Sequence, residues 1–370
     1  MKVLIVGAGV AGLAIGWRLA QAGCAVEVYE RGLAGRQCTW AAAGMLAATA
    51  ETGTANDAHA QLARRGLAQW PAFARELEAA SGCRIGFRHC GTVLVALDSD
   101  RADALLALAR KLKEQNEPVD FLTPEAALAR EPTLTPELTA ALYVANDAQV
   151  DNRALGPALS TALRRAGGVL HELCPVRALH IEKNRVCGVT TQKGMQPADC
   201  VIVAAGAWAS LLEGAGADAL PPLRPAKGQM VALTSPNGAA APGHLVWGPD
   251  IYIVPQGGAV MLGATVEDCG FDTSVTKEAC AALVERAVRV VPGLVDWRVN
   301  ESWAGLRPLT PDENPVLGAT SVPGLFVAGG QFRNGILFAP VVAEILCRFI
   351  LGGTPEPLAT AFDPRRFSGH

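Results

Sequence analysis

The first thirty residues carry the feature that most constrains the fold: a strand, a glycine-rich turn, a helix and a second strand that ends in an acid. The continuous apolar run KVLIV (2–6) is typical of a buried parallel strand. Gly7, Gly9 and Gly12 follow with GxGxxG spacing, and the second strand ends in Glu30. Such glycines allow a tight turn and a close approach of the backbone to a pyrophosphate, and the helix N-terminus offers N–H groups to phosphates. We predict a Rossmann-like dinucleotide-binding domain in which Glu30 bonds a ribose hydroxyl.

The glycine turn does not separate FAD from NAD, but the rest of the chain favours FAD. An NAD-linked flavoprotein reductase would carry a second dinucleotide fold in mid-chain, and the one candidate is GAGADA (214–219). Because it runs from a helical pattern into the proline-rich LPPLRP, we expect a loop there. The segment 31–51 is rich in Ala and Gly, which suits backbone lying against a flat ligand. Composition alone leaves open the alternative of an Ala-rich helix without a ligand.

Charge, cysteine usage and hydropathy narrow the class of protein. The net charge of −3 leaves no basic excess for nucleic acid as the main partner. The ten cysteines form no CxxC pair, so we expect no metal site and reduced thiols in a cytosolic protein. Glycines interrupt the apolar N-terminus, and Pro340, Glu344 and Arg348 interrupt the apolar tail. These features predict a cytoplasmic protein without membrane insertion, and its length suggests about two domains.

Further blocks of the sequence are similar to a known family. TWAAAGM (39–45), placed after GxGxxG and Glu30, resembles the FAD-dependent D-amino acid oxidase superfamily, and glycine oxidase of the ThiO type in particular. The other matching blocks are PVRAL (175–179), VIVAAGAWA (201–209), KGQM (227–230), YIVP (252–255), LGAT (262–265), GLRPLTPDENPVLG (305–318) and FVAGGQFRNGILFAP (326–340). The resemblance therefore covers nearly the whole chain, in the same order.

The resemblance implies an α/β fold in which two domains are interleaved. An FAD-binding Rossmann-like domain of the glutathione reductase/D-amino acid oxidase type would comprise residues 1–82, 146–220 and 304–370. A substrate domain, comprising 83–145 and 221–303, would place a mixed sheet over the flavin.

The resemblance also implies which residues hold the cofactor. Non-covalent FAD is expected, because Cys347 lies inside the last helix and the blocks nearest the flavin contain no cysteine. The implied cofactor contacts are Gly7, Gly9, Gly12, Glu30, Arg31, Thr39, Ala42, Ala43, Gly44, Met45, Val176, Gly206, Gly330, Arg333, Asn334, Gly335, Ile336 and Leu337. Val176 would contact adenine through its backbone. A helix from about Asn334, with Pro340 in its early turn, would aim its N-terminal N–H groups and dipole at the flavin pyrimidine, unless it is only a packing helix.

Two arginines stand out because each lies in a low-charge segment bounded by Gly or Pro. Burying a guanidinium without a partner is costly, and a planar guanidinium binds a carboxylate through two parallel hydrogen bonds. The resemblance makes Arg307 the principal substrate carboxylate binder, Tyr252 an added hydroxyl donor and Arg333 a second active-site arginine that meets an anion. For either arginine the alternative is a structural pair with a core acid. Met45, Val266 and Phe332 are expected as pocket walls.

The implied reaction is FAD-dependent oxidative deamination of glycine or another small amino acid or secondary amine. It would yield an imine, then a 2-oxo acid and ammonia, with O₂ reduced to H₂O₂ and no protein general base. Alternatives are a D-amino acid, sarcosine or imino acid dehydrogenase that passes electrons to a quinone or partner protein, a subunit of the cyanide synthase kind, and a flavin-binding subunit without chemistry. The ThiO resemblance alone implies a role in thiamine biosynthesis, and related proteins suggest a possible homo-oligomer.

Overall fold

The computed structural model describes residues 1–53, 55, 57–214, 219–354 and 356–367. Its helices are α1 (Val10–Gln21), α2 (Cys38–Ala41), α3 (Ala48–Thr52), α4 (Ala58–Ser81), α5 (Ser99–Glu114), α6 (Pro124–Arg130), α7 (Asn152–Arg165), α8 (Lys277–Val290), α9 (Ala339–Ile350) and α10 (Pro357–Thr360), with 3-10 turns at Gly206–Leu211, Pro292–Asp296 and Pro364–Phe367. Its strands are β1 (Lys2–Val6), β2 (Ala25–Tyr29), β3 (Met45–Leu46), β4 (Arg88–His89), β5 (Thr92–Ala96), β6 (Val119–Leu122), β7 (Ala140–Val144), β8 (Ala148–Gln149), β9 (Val169–His171), β10 (Val176–Glu182), β11 (Arg185–Thr191), β12 (Gly194–Pro197), β13 (Cys200–Val203), β14 (Arg224–Thr234), β15 (Leu245–Gly248), β16 (Ile251–Gln256), β17 (Ala259–Gly263), β18 (Arg298–Leu309), β19 (Val316–Ala319) and β20 (Leu325–Gly329).

The N-terminal strand lies inside a six-stranded sheet of order β19-β20-β13-β1-β2-β9. All its pairings are parallel except that of β19 with β20. Val3 and Ile5 belong to the core shared with α1, α4, α7 and α9, whereas Leu4 and Val6 belong to the core shared with the three-stranded sheet β10-β11-β12. Because successive side chains of a strand point to opposite faces, a strand covered on both faces is apolar throughout. The predicted α/β fold class is confirmed.

Glycine is required at two positions of the turn after β1. Gly7 has φ +106°, and a Cβ there would collide with the carbonyl oxygen of Ala204 on β13's continuation. A Cβ on Gly12 would collide with the carbonyl oxygen of Gly7, so α1 can pack against the turn only with glycine at this place. The turn thus passes between two neighbouring strand ends and delivers the N-terminus of α1 to the carboxyl edge of the sheet.

A second, eight-stranded mixed sheet has the order β18-β14-β17-β16-β15-β5-β7-β6. One face packs against α8 through Val231, Ile253 and Leu283. The other face carries Met230 and Trp303, which pack with Ala41 and Ala43 of the segment after Glu30. This second face, which carries Met230 and Trp303 and covers the Ala-rich segment 31–51, is called the roof below.

One alternative is excluded, and one local prediction needs correction. The alternative of a single Ala-rich helix over 31–51 does not hold, because the segment contains α2, β3 and α3 separated by irregular backbone. The last helix begins at Ala339 with Pro340 in its first turn, and the residues from Phe332 to Phe338 form turns that lead into it. Of the GAGADA segment, residues 215–218 lie outside the described residues.

In the described part of the chain, no helix has both the length and the apolar character needed to cross a bilayer. The same residues include no cluster of three or more His, Cys, Asp or Glu side chains placed to hold a metal ion. All ten cysteines are free thiols.

Candidate active site

Two adjoining chambers open where the carboxyl edge of the six-stranded sheet meets the roof. The space in and in front of the turn chamber is about 940 Å³, and that of the arginine chamber about 690 Å³, open solvent included. The turn chamber is lined by Val6, Gly7, Gly9, Tyr29, Glu30, Arg31, Gln37, Cys38, Thr39, Pro175, Val176, Ala204, Ala205, Gly206, Ala207, Trp208, Leu211, Leu212 and Leu306. The arginine chamber is lined by Cys38, Ala41, Ala42, Ala43, Gly44, Met45, Ala47, Glu51, Gly228, Met230, Tyr252, Gly305, Arg307, Phe332, Arg333, Asn334 and Ile336. Cys38 borders both chambers, so together they suit one elongated ligand.

Glu30 is fixed at the turn chamber by two backbone bonds. Its Oε2 accepts from the N–H of Ala8 at 2.8 Å, and its Oε1 accepts from the N–H of Gly32 at 2.9 Å. Each carboxylate oxygen can accept a further hydrogen bond, so the group can still accept from ribose hydroxyls. Beside it, the guanidinium of Arg31 lies 3.6 Å from the centroid of the Trp208 ring, a cation–π contact at the chamber wall.

The N-terminus of α1 fits a phosphate group. The Val10 N–H donates to Thr39 Oγ1 at 2.9 Å, which places the threonine hydroxyl at the helix end. The N–H groups of Gly9 and Ala11 have no acceptor within the described residues. Free N–H groups at a helix N-terminus, beside a cleft lined by small residues, form a site for an anion. With Glu30 and the glycine turn, this edge fits the pyrophosphate and ribose of a dinucleotide.

A second set of free N–H groups lies beside the arginine chamber. Turns hold the segment before α9: Asn334 N–H donates to Gln331 O and Phe338 N–H to Asn334 O, both at 2.8 Å. Among the described residues, no acceptor faces the N–H groups of Gly335, Ile336 and Leu337. The predicted cluster of donors therefore comes from turns, and the helix itself begins later than expected.

Arg307 extends from the edge strand β18 into the arginine chamber. Its Nη1 donates to the backbone carbonyl of Thr265 at 3.1 Å, and no carboxylate within the described residues pairs with it. Tyr252 lies close by: burial raises the pKa of its hydroxyl, and the positive charges of Arg307 and Arg333 act to lower it. The Arg307 guanidinium is partly buried, and its hydrogen bond to the Thr265 carbonyl leaves most of its five N–H donors for a ligand.

Arg333 differs, because the protein itself supplies its anion. Its Nη2 lies 3.3 Å from Glu51 Oε1, with side-chain exposures of 34% and 16%. Its guanidinium carbon lies 5.6 Å from the ring centroid of Trp247. Burial raises the pKa of Glu51, against the opposing charges of Arg333 and His59. The alternative of a structural ion pair therefore describes Arg333 and does not describe Arg307.

Three glycines of the roof give the functional groups their space, and the sequence reasoning missed them. A Cβ on Gly228 would collide with the Arg307 guanidinium, and one on Gly263 would collide with the hydroxyl of Tyr252. A Cβ on Gly305 would lie 2.5 Å from the Cβ of Ala41. The blocks KGQM, LGAT and GLRP, which contain these glycines, were the available signal.

Some predicted site residues lie elsewhere. Val266 is 61% exposed and lines neither chamber, whereas Met45 and Phe332 do line the arginine chamber. Gly330 lies beside Thr310 and lines neither chamber. Also outside the two linings are Gly12, Gly335 and Leu337.

Cys38 and Glu51 were not expected at the site. Cys38 immediately precedes the TWAAAGM block, and burial raises the pKa of its thiol. The sequence does offer a signal for Glu51, because it is the one acidic residue in the low-charge segment 31–51 and stands at its end. Its partner Arg333 lies so far along the chain that only the fold brings them together.

The chain matches known proteins over nearly its whole length. Residues 2–349 match the DAO family, FAD dependent oxidoreductase. The bifunctional protein ThiO/ThiG of Trichormus variabilis is 33% identical over 99% of this chain and 55% of its own length, so the chain spans about half of such relatives. The glycine oxidase of Geobacillus kaustophilus is 35% identical over 99% of this chain and 96% of its own.

Solved structures agree with this match. A crystal structure of glycine oxidase from Geobacillus kaustophilus superposes with a TM-score of 0.91, at 34% identity, covering 100% of this chain and 99% of that one. The iminodiacetate oxidase of Chelativorans sp. BNC1 superposes with a TM-score of 0.87, at 27% identity and 98% coverage of both chains. The chain belongs to the DAO family of FAD-dependent oxidoreductases.

Proposed function

We propose that this enzyme oxidises glycine or a comparably small amino acid or secondary amine, with O₂ reduced to H₂O₂. The observation that carries the proposal is Arg307, a partly buried guanidinium without a carboxylate partner among the described residues, in the chamber adjoining the dinucleotide cleft. A small carboxylate would neutralise the charge of Arg307 and accept hydrogen bonds from its remaining N–H groups. The names of the glycine oxidase relatives support the same substrate class.

Arg307 would bind the substrate carboxylate through two parallel N–H···O bonds, which fix orientation as well as charge. The Tyr252 hydroxyl, held on the neighbouring part of the roof, would donate a further bond. Phe332, Met230 and Met45 close the chamber with apolar surface, which limits the size of the substrate side chain and excludes water. These residues would act by positioning the Cα–H of the bound amine.

FAD, when bound, supplies the acceptor for the electron pair of the Cα–H bond. Glu30 and the N-terminus of α1 would hold its ribose and pyrophosphate, and the free N–H groups of Gly335, Ile336 and Leu337 would face its anionic ring system. We infer non-covalent binding. Cys38 is the one cysteine lining either chamber in the described residues, and its raised thiol pKa opposes formation of the reactive thiolate.

No histidine lines the arginine chamber in the described part of the chain. His244, the nearest histidine to the substrate-domain blocks in the sequence, bonds Glu131 at 2.9 Å and lies outside the chamber. Catalysis would therefore depend on substrate position and on loss of a proton from the substrate ammonium before oxidation.

The proposals for the electron acceptor and for the pathway depend on the names of the relatives. O₂ is proposed over a quinone or partner protein because the most similar full-length relatives bear the name glycine oxidase. A role in thiamine biosynthesis is proposed from the ThiO name of the longer relatives.

The test is anaerobic mixing of the purified holoprotein with glycine, sarcosine, D-alanine, D-proline and N-ethylglycine, followed by admission of air. Loss of oxidised-flavin absorbance with glycine or sarcosine, and rapid H₂O₂ formation in air, is the expected result. Flavin reduction with slow reoxidation would instead indicate a dehydrogenase. Arg307→Ala should abolish reduction at low substrate concentration, and Arg298→Ala, an exposed arginine of the same strand, should not.

A further inference from the structure

The arginine chamber contains an unusual balance of charge. In the described residues three charged side chains line it: Arg307, Arg333 and Glu51. Arg333 and Glu51 neutralise one another across 3.3 Å, and Arg307 has no acidic partner. The lining thus carries one net positive charge, which matches one substrate carboxylate.

The two arginines approach the chamber from different sides of the roof. Trp303, Met230, Gly263, Tyr252 and Trp247 form one cross-strand row over β18, β14, β17, β16 and β15. Arg307 is on β18, the strand at one end of this row, and the Arg333 guanidinium lies over Trp247 at the other end. Tyr252 belongs to the row between them, and the charges of both arginines act to lower the pKa of its hydroxyl. A substrate held by Arg307 and Tyr252 would therefore lie in the same chamber as Arg333 and Glu51.

We propose that Glu51 is a specificity-determining residue, which restricts the chamber to amino acids with a single carboxylate by neutralising Arg333. The inference deepens the proposed function and depends on it. With Glu51 in place, a second carboxylate on the amine substituent faces the Arg333–Glu51 ion pair, which has no net charge to attract it. Without Glu51, Arg333 becomes a partly exposed guanidinium with no acidic partner among the described residues, and a second carboxylate can pair with it.

The fold holds Glu51 in this position. Glu51 lies in the short helix α3, where the Thr49 N–H donates to Asp147 Oδ1 at 3.3 Å. Asp147 is itself fixed by Thr92 Oγ1, which donates to its Oδ2 at 2.7 Å. The backbone that carries Glu51 is therefore anchored through Asp147, and its carboxylate is paired with Arg333.

The probes are iminodiacetate and its monoamide, N-(carbamoylmethyl)glycine. Both carry the secondary amine and one CH₂–COO⁻ arm, and they have nearly the same shape. They differ in a single charge on the second arm. We expect kcat/KM of the wild-type protein to be about tenfold higher for the monoamide, because the second carboxylate would be an uncompensated charge in a partly buried site. Equal use of the two probes by the wild-type protein would overturn the inference without any variant.

Glu51→Gln should invert or abolish this preference, changing the ratio of the two kcat/KM values at least about tenfold. Glu344→Gln is the matched control, because Glu344 pairs with Arg65 on other helices and should leave the ratio unchanged. A folded Glu51→Gln protein with the wild-type ratio would refute the role of Glu51.

The same probes separate this inference from the proposed function. If the holoprotein oxidises no amine, the proposed function fails. The dissociation constants of iminodiacetate and the monoamide, followed by perturbation of the flavin absorbance, then still test Glu51: tighter monoamide binding that is lost in Glu51→Gln supports it, and equal binding overturns it.

Discussion

Gly228→Ala tests whether a missing side chain in the roof is what positions Arg307. A Cβ at Gly228 would lie 2.5 Å from Nη1 and 2.6 Å from Cζ of Arg307, whereas ordinary contacts begin near 3.4 Å. The guanidinium would have to move by about 1 Å. A displacement of this size typically lowers the reaction rate about 100-fold when it misplaces a substrate. We predict a fall of about 10- to 100-fold in kcat/KM for the substrate, expressed mainly in KM, because Arg307 binds the carboxylate in the ground state as well.

The fold should tolerate this change. Gly228 lies inside β14 with no positive φ, and replacing a strand glycine by alanine removes about 0.5–1 kcal/mol of conformational penalty. We therefore expect an unchanged or slightly raised Tm together with lost substrate affinity. The assay is steady-state kinetics and thermal unfolding of the holoprotein, with Gly293→Ala as the control, because a Cβ there meets no atom within 4 Å. Wild-type KM in a folded Gly228→Ala protein would refute the reasoning.

Three other predictions follow from single groups. Glu30→Gln should raise the Kd for FAD at least about tenfold in an apoprotein titration, because charge-assisted bonds to backbone N–H groups and ribose weaken; an unchanged Kd would remove Glu30 from the cofactor site. Burial raises the pKa of Asp147 to about 7, against the bonds from Thr92 and the Thr49 N–H. The contribution of this group to stability is therefore present at low pH and is lost as pH rises through about 7. Asp147→Asn should raise Tm at pH 8 but not at pH 4, and a pH-independent effect on Tm would contradict this. Because burial raises the pKa of Glu51, acidification should protonate it and increase the use of iminodiacetate relative to the monoamide, and Glu51→Gln should show a pH-independent ratio.

The N-terminal part of the site follows from local rules, and for that reason it could be predicted. Gly12 must be glycine because of its neighbour Gly7 in the same strand–helix unit, Gly7 has a positive φ and lies beside Ala204 of the parallel neighbour strand, and Glu30 follows the end of β2 in the same unit. All the groups involved lie within the first thirty residues or contact them through parallel pairing.

The roof could not be predicted at the same level, because its contacts depend on cross-strand register. Gly228 clears Arg307 only because β14 and β18 pair with Gly228 opposite Gly305, and these residues lie far apart in the sequence. Similarly, Glu51 meets Arg333 through the packing of α3 beside the turn before α9. The sequence indicated that both arginines need anions, but it could not distinguish a substrate anion from one that the protein provides.

The late start of α9 has a local cause that the pattern of apolar residues conceals. Asn334 to Phe338 close turns with each other and with Gln331, and the Asn334 side chain bonds His59 Nε2 at 3.1 Å. Trp70 Nε1 donates to Leu337 O at 3.1 Å. Side chains of α4 thus bond the segment at Asn334 and at Leu337, on either side of its turns.

The most direct test of the central claim is a crystal structure of the holoprotein with glycolate, an unreactive carboxylate of the size of glycine. The account predicts both carboxylate oxygens within hydrogen-bonding distance, about 2.7–3.1 Å, of the Arg307 guanidinium and the Tyr252 hydroxyl, with the Arg333–Glu51 pair intact. A carboxylate bound to Arg333 with Glu51 displaced, and Arg307 left on the Thr265 carbonyl alone, would contradict it.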